Sequence, residues 1–402
     1  TMKFAHLADC HIGGWQEPKL KELGINVFEK AIDACIKENV GFVLISGDLF
    51  NTALPSIDLI SAAAKQLRKL REQDIEVYII PGSHDFSPSG KTMLDVLEKA
   101  GLVTNVFKLK DNKLDFTLDK TNVKITGMLG KKGGMERNDY ESLDKTAIEN
   151  EPGFKIFMFH TTLTEFKPDG WENVDSEPAA ILPANFNYYA GGHPHYVFNA
   201  KRGNGIVAYP GPLFPNNFKE LEELKHGGFY IVDDKLTIKH IPVKLKEVLN
   251  ITISGNSVKE IKEKINEEIK KNDLSGKIIT LRVEGILEAG KISDINFNEI
   301  IKEMEKTCFI VLKNTHKLTT KEFEEFKVEG ANTEEVEINT IKKHLGQLAL
   351  GISLDEEEFL VKDLMDLLSK EKDEGEKIND FESRIIKDTV KTLKLEEVWN
   401  AA

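Results

Sequence analysis

Five apolar runs, each leading into histidine or aspartate, constrain this chain more than any other feature. Phe4–Ala8 leads into Asp9 and His11, and Phe42–Ser46 into Gly47-Asp48. Val77–Pro81 leads into Gly82-Ser83-His84-Asp85, Ile156–Phe159 into His160, and Tyr188–Gly192 into His193 and His195. Each run reads as a strand. Open α/β sheets gather functional groups at the carboxyl ends of their strands. Five strand ends delivering imidazoles and carboxylates to one edge therefore make a site. Mixed nitrogen and oxygen ligands suit zinc, manganese or iron. A carboxylate shared between two ions gives a two-metal centre for phosphoester cleavage. On an extended segment Asp9 and His11 share one face and Cys10 points away, so Cys10 reads as packing.

The chain of 402 residues is long enough for two or three domains. Helices are expected at Lys19–Glu38, Ser56–Gln73 and Thr92–Ala100, the last closed by Gly101. Strands are expected at Lys113–Leu118, Val123–Met128, Phe154–Phe159, Gly205–Tyr209, Gly228–Val232 and Leu236–Ile241. This mixture predicts an α/β fold built as a two-sheet α/β sandwich. Past a boundary near Pro242–Glu247, a strand-helix-strand-helix-strand unit over 248–313 has the size of a small α+β domain. Beyond Glu334 the chain reads as helical and acidic. Ile338, Ile341, Leu345 and Leu348 form one stripe, and Asp355 with Glu358 forms a capping box ahead of Leu360, Leu364, Leu367 and Leu368. A charged run, Lys370–Lys377, separates these from Phe381, Ile385, Ile386 and Leu393. These helices either dock on their own domain or bind a partner. The predicted division is 1–245, 246–330 and 331–402.

Read in order, Asp9-Cys10-His11, Gly47-Asp48, Gly82-Ser83-His84-Asp85, His160 and Gly192-His193-Pro194-His195 resemble the signature of the calcineurin-like metallophosphoesterases. Ser83 stands where that family carries asparagine. Further segments narrow the branch. They are Gly47-Asp48-Leu49-Phe50 with Pro55, Tyr188-Tyr189-Ala190-Gly191-Gly192 before His193, Tyr209-Pro210-Gly211-Pro212, and Gly228-Phe229-Tyr230-Ile231-Val232-Asp233. These resemble the SbcD-type nucleases, the nuclease subunit of the meiotic-recombination, double-strand-break repair complex. The likeness is specific over residues 2–242 and rests on architecture beyond them.

The resemblance implies two Mn²⁺ ions, with Mg²⁺ or another divalent ion as the alternative, and both exonuclease and single-strand endonuclease activity. It implies that Asp9, His11 and His195 hold the first ion, that Asp48 bridges, and that His160, His193 and Ser83 serve the second. A serine hydroxyl reaches less far than an asparagine amide, so Ser83 binds directly, binds through water, or leaves its position open. His84 is the catalytic residue expected to protonate the leaving alkoxide. Asp85 either orients that imidazole or caps the turn at Ser87-Pro88. Asn51 stands where some relatives carry a second, non-ligating histidine. The α+β unit would be a capping domain that helps position DNA. The helices of 331–402 would bind a coiled-coil ABC ATPase of SbcC type. A homodimer would pair through the helices at 19–38 and 56–73.

A net charge of −13 argues against a broad nucleic-acid groove. The acid is unevenly placed, with 10 Lys/Arg against 18 Asp/Glu in residues 331–402. Divalent ions would add positive charge where a phosphate must sit. Candidate DNA contacts are Lys131, Lys132 and Arg137 in one basic loop, and Lys201 and Arg202 in a turn ending at Gly203. The same residues also read as solvated surface. Three cysteines without a Cys-x-x-Cys pair, no run of membrane-span length, and Met2-Lys3 leading directly into a strand predict a cytoplasmic, nucleoid-associated protein. Two other functions remain open. One is a metallophosphoesterase acting on nucleotides or phosphoproteins. The other is a catalytically weak subunit that regulates an ABC ATPase.

Overall fold

The strand-forming runs are apolar almost throughout because their strands are covered on both faces. The computed structural model describes residues 2–87, 92–131, 135–321, 341, 353–370 and 378–395. β1 (Lys3–Leu7), β2 (Phe42–Ser46), β3 (Glu76–Ile80) and β4 (Thr104–Asn105) form a parallel ladder. A hairpin of β5 (Leu109–Lys110) and β6 (Lys113–Leu114) follows. β7 (Thr117–Leu118), β8 (Lys124–Gly127), β9 (Lys155–His160), β10 (Tyr188–Gly192), β11 (Val197–Arg202) and β12 (Gly205–Pro210) build a second sheet, in the order β11-β12-β10-β9-β8-β7. β13 (Gly227–Asp233) and β14 (Ile238–Val243) return to the first sheet, giving β14-β13-β1-β2-β3-β4.

Helices α1 (Pro18–Lys37), α2 (Ile57–Glu72) and α3 (Met93–Lys99) link the first strands. Pro18 opens α1, and the Glu17 carboxylate accepts from Leu20 N–H at 2.8 Å. Thr92 and Asp95 close a capping box on α3. α4 (Arg137–Ser142), α5 (Thr146–Asn150) and α6 (Phe218–Leu224) are shorter. The period of two sorts the strand side chains into layers. Ala5, Leu7, Val43, Ile45, Val77 and Ile79 meet Leu23, Val27, Ala31 and Leu67 of α1 and α2. Phe4, Phe42, Leu44 and Ile80 meet Ile156, Met158, Tyr188 and Ala208 between the sheets. Phe4 and Phe42 stack there at 5.2 Å. Each fully buried Val, Leu, Ile, Phe or Met among these stabilises the fold by roughly 1.5–3 kcal/mol. The outer face of the second sheet packs on Tyr140, Leu143 and Ile148 around α4 and α5.

Beyond β14 come β15 (Val248–Ser254), α7 (Val258–Lys271), β16 (Ile278–Leu287), α8 (Phe297–Met304), β17 (Ile310–Asn314) and β18 (Leu318–Thr320). The sheet order is β15-β16-β17, and β18 pairs in parallel with the end of β16. The chain divides into two compact units. The first takes in Thr1–Ser254, Lys262–Val283 and Asn296–Thr315. The second takes in Gly255–Ile261, Glu284–Ile295 and His316–Ala402. Within the second, α9 (Leu354–Leu368) packs on α10 (Ile378–Thr392). No described helix is long and apolar enough to cross a membrane.

Three local expectations change. The single strand expected at 113–118 is two, because the chain turns at Asp111-Asn112 (φ 50° and 59°) for β5–β6 and then joins the second sheet as β7. The turn expected at Lys201-Arg202-Gly203 begins later: Arg202 is still in β11, paired with Gly205. The cap of α9 lies two residues earlier than expected. Ser353 is extended and exchanges hydrogen bonds with Glu356, whereas Asp355 is already helical. Lys132, most of the Ile338–Leu348 stripe and most of the Lys370–Lys377 run lie outside the described residues.

Candidate metal centre

The loops that follow β1 and β2 lie side by side. Asp9 N–H donates to Gly47 C=O at 3.1 Å, His11 N–H to Asp48 C=O at 2.9 Å and Ile12 N–H to Leu49 C=O at 3.0 Å. Asp9, His11, Asp48 and His193 all have positive φ, at 49°, 42°, 53° and 92°. The Asp9-x-His11 segment, expected to be extended, therefore has left-handed backbone at both Asp9 and His11. Such strain is held in place by its surroundings and clusters at functional sites. Cys10 is nevertheless packed in the core beneath the first sheet. A Cβ at Gly47 would stand 2.3 Å from His160 Nδ1, and one at Gly82 would stand 2.3 Å from Asp48 Oδ1. Both motif glycines are thus required by close approach.

The side chains converge in overlapping groups: Asp9 with His11 and His195, His11 with Asp48 and His84, and Asp9 with Asp48 and His160. Ligand atoms within each group lie within 4.8 Å of one another. Three of the imidazoles are tied from outside. His11 Nδ1 donates to Asn51 Oδ1 at 3.1 Å, His160 Nδ1 to Ser46 C=O at 2.8 Å and His195 Nδ1 to Glu220 Oε1 at 2.8 Å. With Nδ1 the donor, the neutral ring turns a lone pair on Nε2 inward. His11 Nε2 and His195 Nε2 face each other at 3.1 Å. His160 Nε2 lies 3.1 Å from Asp48 Oδ2 and is buried without hydrogen-bond geometry. Electron-rich atoms so close repel unless a proton or a cation stands between them. This donor set fits divalent metal ions.

The charges agree with that reading. Burial pushes the Asp9 carboxyl up to about 6, against the pull of His195 and His160. Burial acts on Asp48 in the same sense, but His160 and His11 outweigh it and hold this carboxyl well below the usual range. Burial disfavours a charged His160, yet the Asp48 carboxylate raises the ring to about 10. Ser83 is buried beside this cluster and donates to Asp48 Oδ2 at 3.4 Å. His193 N–H donates to both oxygens of Asp9 at 3.1 Å. The His193 imidazole is exposed, edge-on to His160 at 5.1 Å, and joins none of the three groups.

The sequence comparisons agree with this geometry. The calcineurin-like phosphoesterase family model matches residues 2–197. The DNA double-strand break repair protein Mre11 of Methanococcus maripaludis is 30% identical over 271 residues, covering 62% of this chain and 68% of that protein. The chain belongs to the Mre11 family of calcineurin-like phosphoesterases. This is a family of enzymes. Mre11 of Archaeoglobus fulgidus is 25% identical over 348 residues, 76% of each chain. Mre11 of Sulfurisphaera tokodaii is 26% identical over 394 residues, 92% of this chain and 97% of that one.

Several residues of this Mre11-family site have tasks that the sequence did not reveal. Asp85 neither orients His84 nor serves only its own turn. Its carboxylate accepts from Leu49 N–H, Phe50 N–H and Gly82 N–H at 3.1–3.2 Å and welds two loops together. His84 is aimed instead by the Asn51 carbonyl, 2.9 Å from its Nδ1. Asn51 thereby holds two imidazoles, His11 by its side chain and His84 by its backbone. Glu220 was legible only as a capping residue, three positions after the N-cap Asn217.

The candidate DNA contacts have partners of their own. Lys131 pairs with Asp139 at 2.6 Å, and Arg137 with Glu177 at 2.8 Å. Arg202 donates to the carbonyls of Ala179, Leu182 and Pro183 and lies over the Tyr189 ring. It braces the loop before β10, so the contact proposed for this turn falls to the exposed Lys201.

Proposed function

We propose that this protein is a metal-dependent DNA nuclease that hydrolyses phosphodiester bonds in double-strand-break repair. One observation carries the reading: imidazoles from separate strand ends turn their Nε2 atoms onto Asp9 and Asp48, with Nδ1 already tied to acceptors. Asp9, His11 and His195 would hold one ion. His160, His193 and Ser83 would serve the other, with Asp48 shared. Two divalent ions, manganese first and magnesium next, supply a nucleophile near neutral pH and neutralise phosphoryl charge.

His84 serves the leaving side. Its Nδ1–H is held by Asn51 C=O, so Nε2 is the atom presented, and the imidazolium form of the ring would pass its Nε2 proton to the leaving alkoxide and keep the one on Nδ1. Asp48 Oδ1 accepts from His84 N–H at 2.7 Å, so the shared carboxylate also fixes the loop that carries this acid. Asn51 has no transferable proton. It therefore cannot act as a second general acid, and a lower exonuclease efficiency is expected.

Residues 246–330 would act as a capping domain beside the nuclease domain 1–245, and 331–402 would bind a coiled-coil ABC ATPase. Leu54 and Ile57, 72% and 83% exposed at the start of α2, support pairing of two copies through this face. The decisive assay compares single-stranded circles and duplex ends with Mn²⁺, with Mg²⁺ and with chelator. Cleavage with Mn²⁺ that chelator abolishes is expected. Hydrolysis of a cyclic nucleotide or phosphopeptide without DNA cleavage would move the reading to another phosphoesterase. Ser83 supports a second reading, a weakly catalytic regulatory subunit, and metal binding without any hydrolysis would favour it.

A further inference from the structure

Helix α6 is short, yet two of its carboxylates face different parts of the molecule. Glu220 Oε1 accepts from His195 Nδ1 at 2.8 Å and from Asn217 Nδ2 at 2.6 Å, and Glu220 Oε2 accepts from Asn216 N–H at 2.7 Å. Its side chain is only 16% exposed. Two residues on, Glu222 accepts from Arg282 of β16 through Nε at 3.0 Å and Nη2 at 2.5 Å. The Asn250 amide of β15 donates to Glu222 C=O at 3.0 Å. The Arg282 guanidinium also lies over the Phe218 ring, 5.2 Å from its centroid. Both oxygens of one carboxylate thus face the fork of one arginine, a geometry that fixes orientation as well as distance.

We propose that Glu220 is the positioning residue for His195, and that α6 is held in place for this task by the Glu222–Arg282 pair on the α+β sheet. The physical logic is that of a carboxylate behind a metal-binding imidazole. The carboxylate selects the tautomer, stops rotation of the ring and raises the donor strength of the inward nitrogen. His195 follows β10, whereas Glu220 lies in the segment before β13, so the carboxylate reaches the ring only if α6 is seated correctly. Arg282 and Asn250 supply that seat from strands outside the two sheets that carry the ligands. Affinity at the His195 ion site is then a readout of how the α+β sheet holds α6. This inference rests on the two-metal reading and adds the residues that tune one of its sites.

The test is a titration of the full-length, metal-free protein with Mn²⁺ by calorimetry and with Co²⁺ by visible absorption. Wild type should show two sites. Glu220→Ala should weaken one of them by roughly 10–100-fold and alter its cobalt spectrum, while the other site stays unchanged. Glu220→Gln keeps an acceptor for His195 Nδ1 and should recover part of the loss. Arg282→Met keeps the apolar stem but removes the fork, and should weaken the same site by a smaller factor. Unchanged sites in Glu220→Ala would overturn the proposal. Equal loss at both sites with a lower melting temperature would also overturn it, because the role would be structural. An unaffected Arg282→Met beside a weakened Glu220→Ala would overturn the anchoring half. A wild type that takes up no ion would instead sink the two-metal reading itself.

Discussion

His84 and Asp48 meet at one hydrogen bond but have separable tasks. Asp48 contributes to two of the three ligand groups, so Asp48→Ala should abolish cleavage by removing metal. His84 is aimed by a backbone carbonyl that the substitution leaves in place. His84→Ala should therefore retain both ions by elemental analysis while turnover falls about 10²–10⁴-fold, the usual contribution of a general acid. Loss of metal from His84→Ala would make it a ligand, as its place beside His11 and Asp48 also permits. Ser83 is the second test at this scale. Its hydroxyl lies a long 3.4 Å from Asp48 Oδ2, and an asparagine amide would reach farther into the cluster. Ser83→Asn should tighten the weaker of two calorimetric Mn²⁺ sites and raise the cleavage rate. No change in either quantity would place Ser83 outside the ligand sphere.

His6 shows how the elements are joined. It lies on β1 between the sheets, with Nδ1 on Tyr188 Oη at 2.9 Å and Nε2 on Ser46 Oγ at 3.0 Å. Burial lowers its pKa to about 3, against a smaller upward pull from the Gly191 backbone. The folded ring is neutral, and the unfolded ring takes a proton below roughly pH 6.5. Its contribution to stability is therefore complete above that pH and is lost as pH falls toward 3, at about 1.4 kcal/mol per pH unit. Urea melts of metal-free protein between pH 7 and 4 should show this. His6→Gln, which cannot titrate, should have a slope shallower by that amount, and an equal slope would mean that His6 is not held neutral. The strands themselves were legible because β1, β2, β3, β9 and β10 are buried on both faces and read as unbroken apolar runs. The ligand order was legible because each ligand directly follows such a run. The Glu220–His195 contact, the Asp85 weld and the left-handed backbone at Asp9 and His11 were not, since each depends on loops brought together only in the fold. The edge strand β11 was misread at Lys201-Arg202 because its alternating exposure and charge imitate a turn.

At the scale of the whole molecule, the C-terminal helices carry apolar side chains that no described residue covers fully. Phe359, Met365 and Leu368 on α9 are 69%, 40% and 64% exposed, and Ile386 on α10 is 48% exposed. Exposed apolar side chains of this size are candidates for contact with a partner. Covering each against a partner would contribute roughly 1.5–3 kcal/mol before ordering costs. The acidic excess of residues 331–402 would favour a basic counterpart. Removing them leaves β18 paired with β16, and leaves the ligand-bearing strands and α6 intact, since all of these precede residue 331. A protein truncated after residue 330 should therefore keep its melting temperature and its Mn²⁺-dependent cleavage of short DNA, but no longer co-purify with the coiled-coil ABC ATPase. Full ATPase affinity in the truncated protein would place the docking surface elsewhere. Loss of fold would mean that α9 and α10 stabilise the rest of the chain instead of binding a partner.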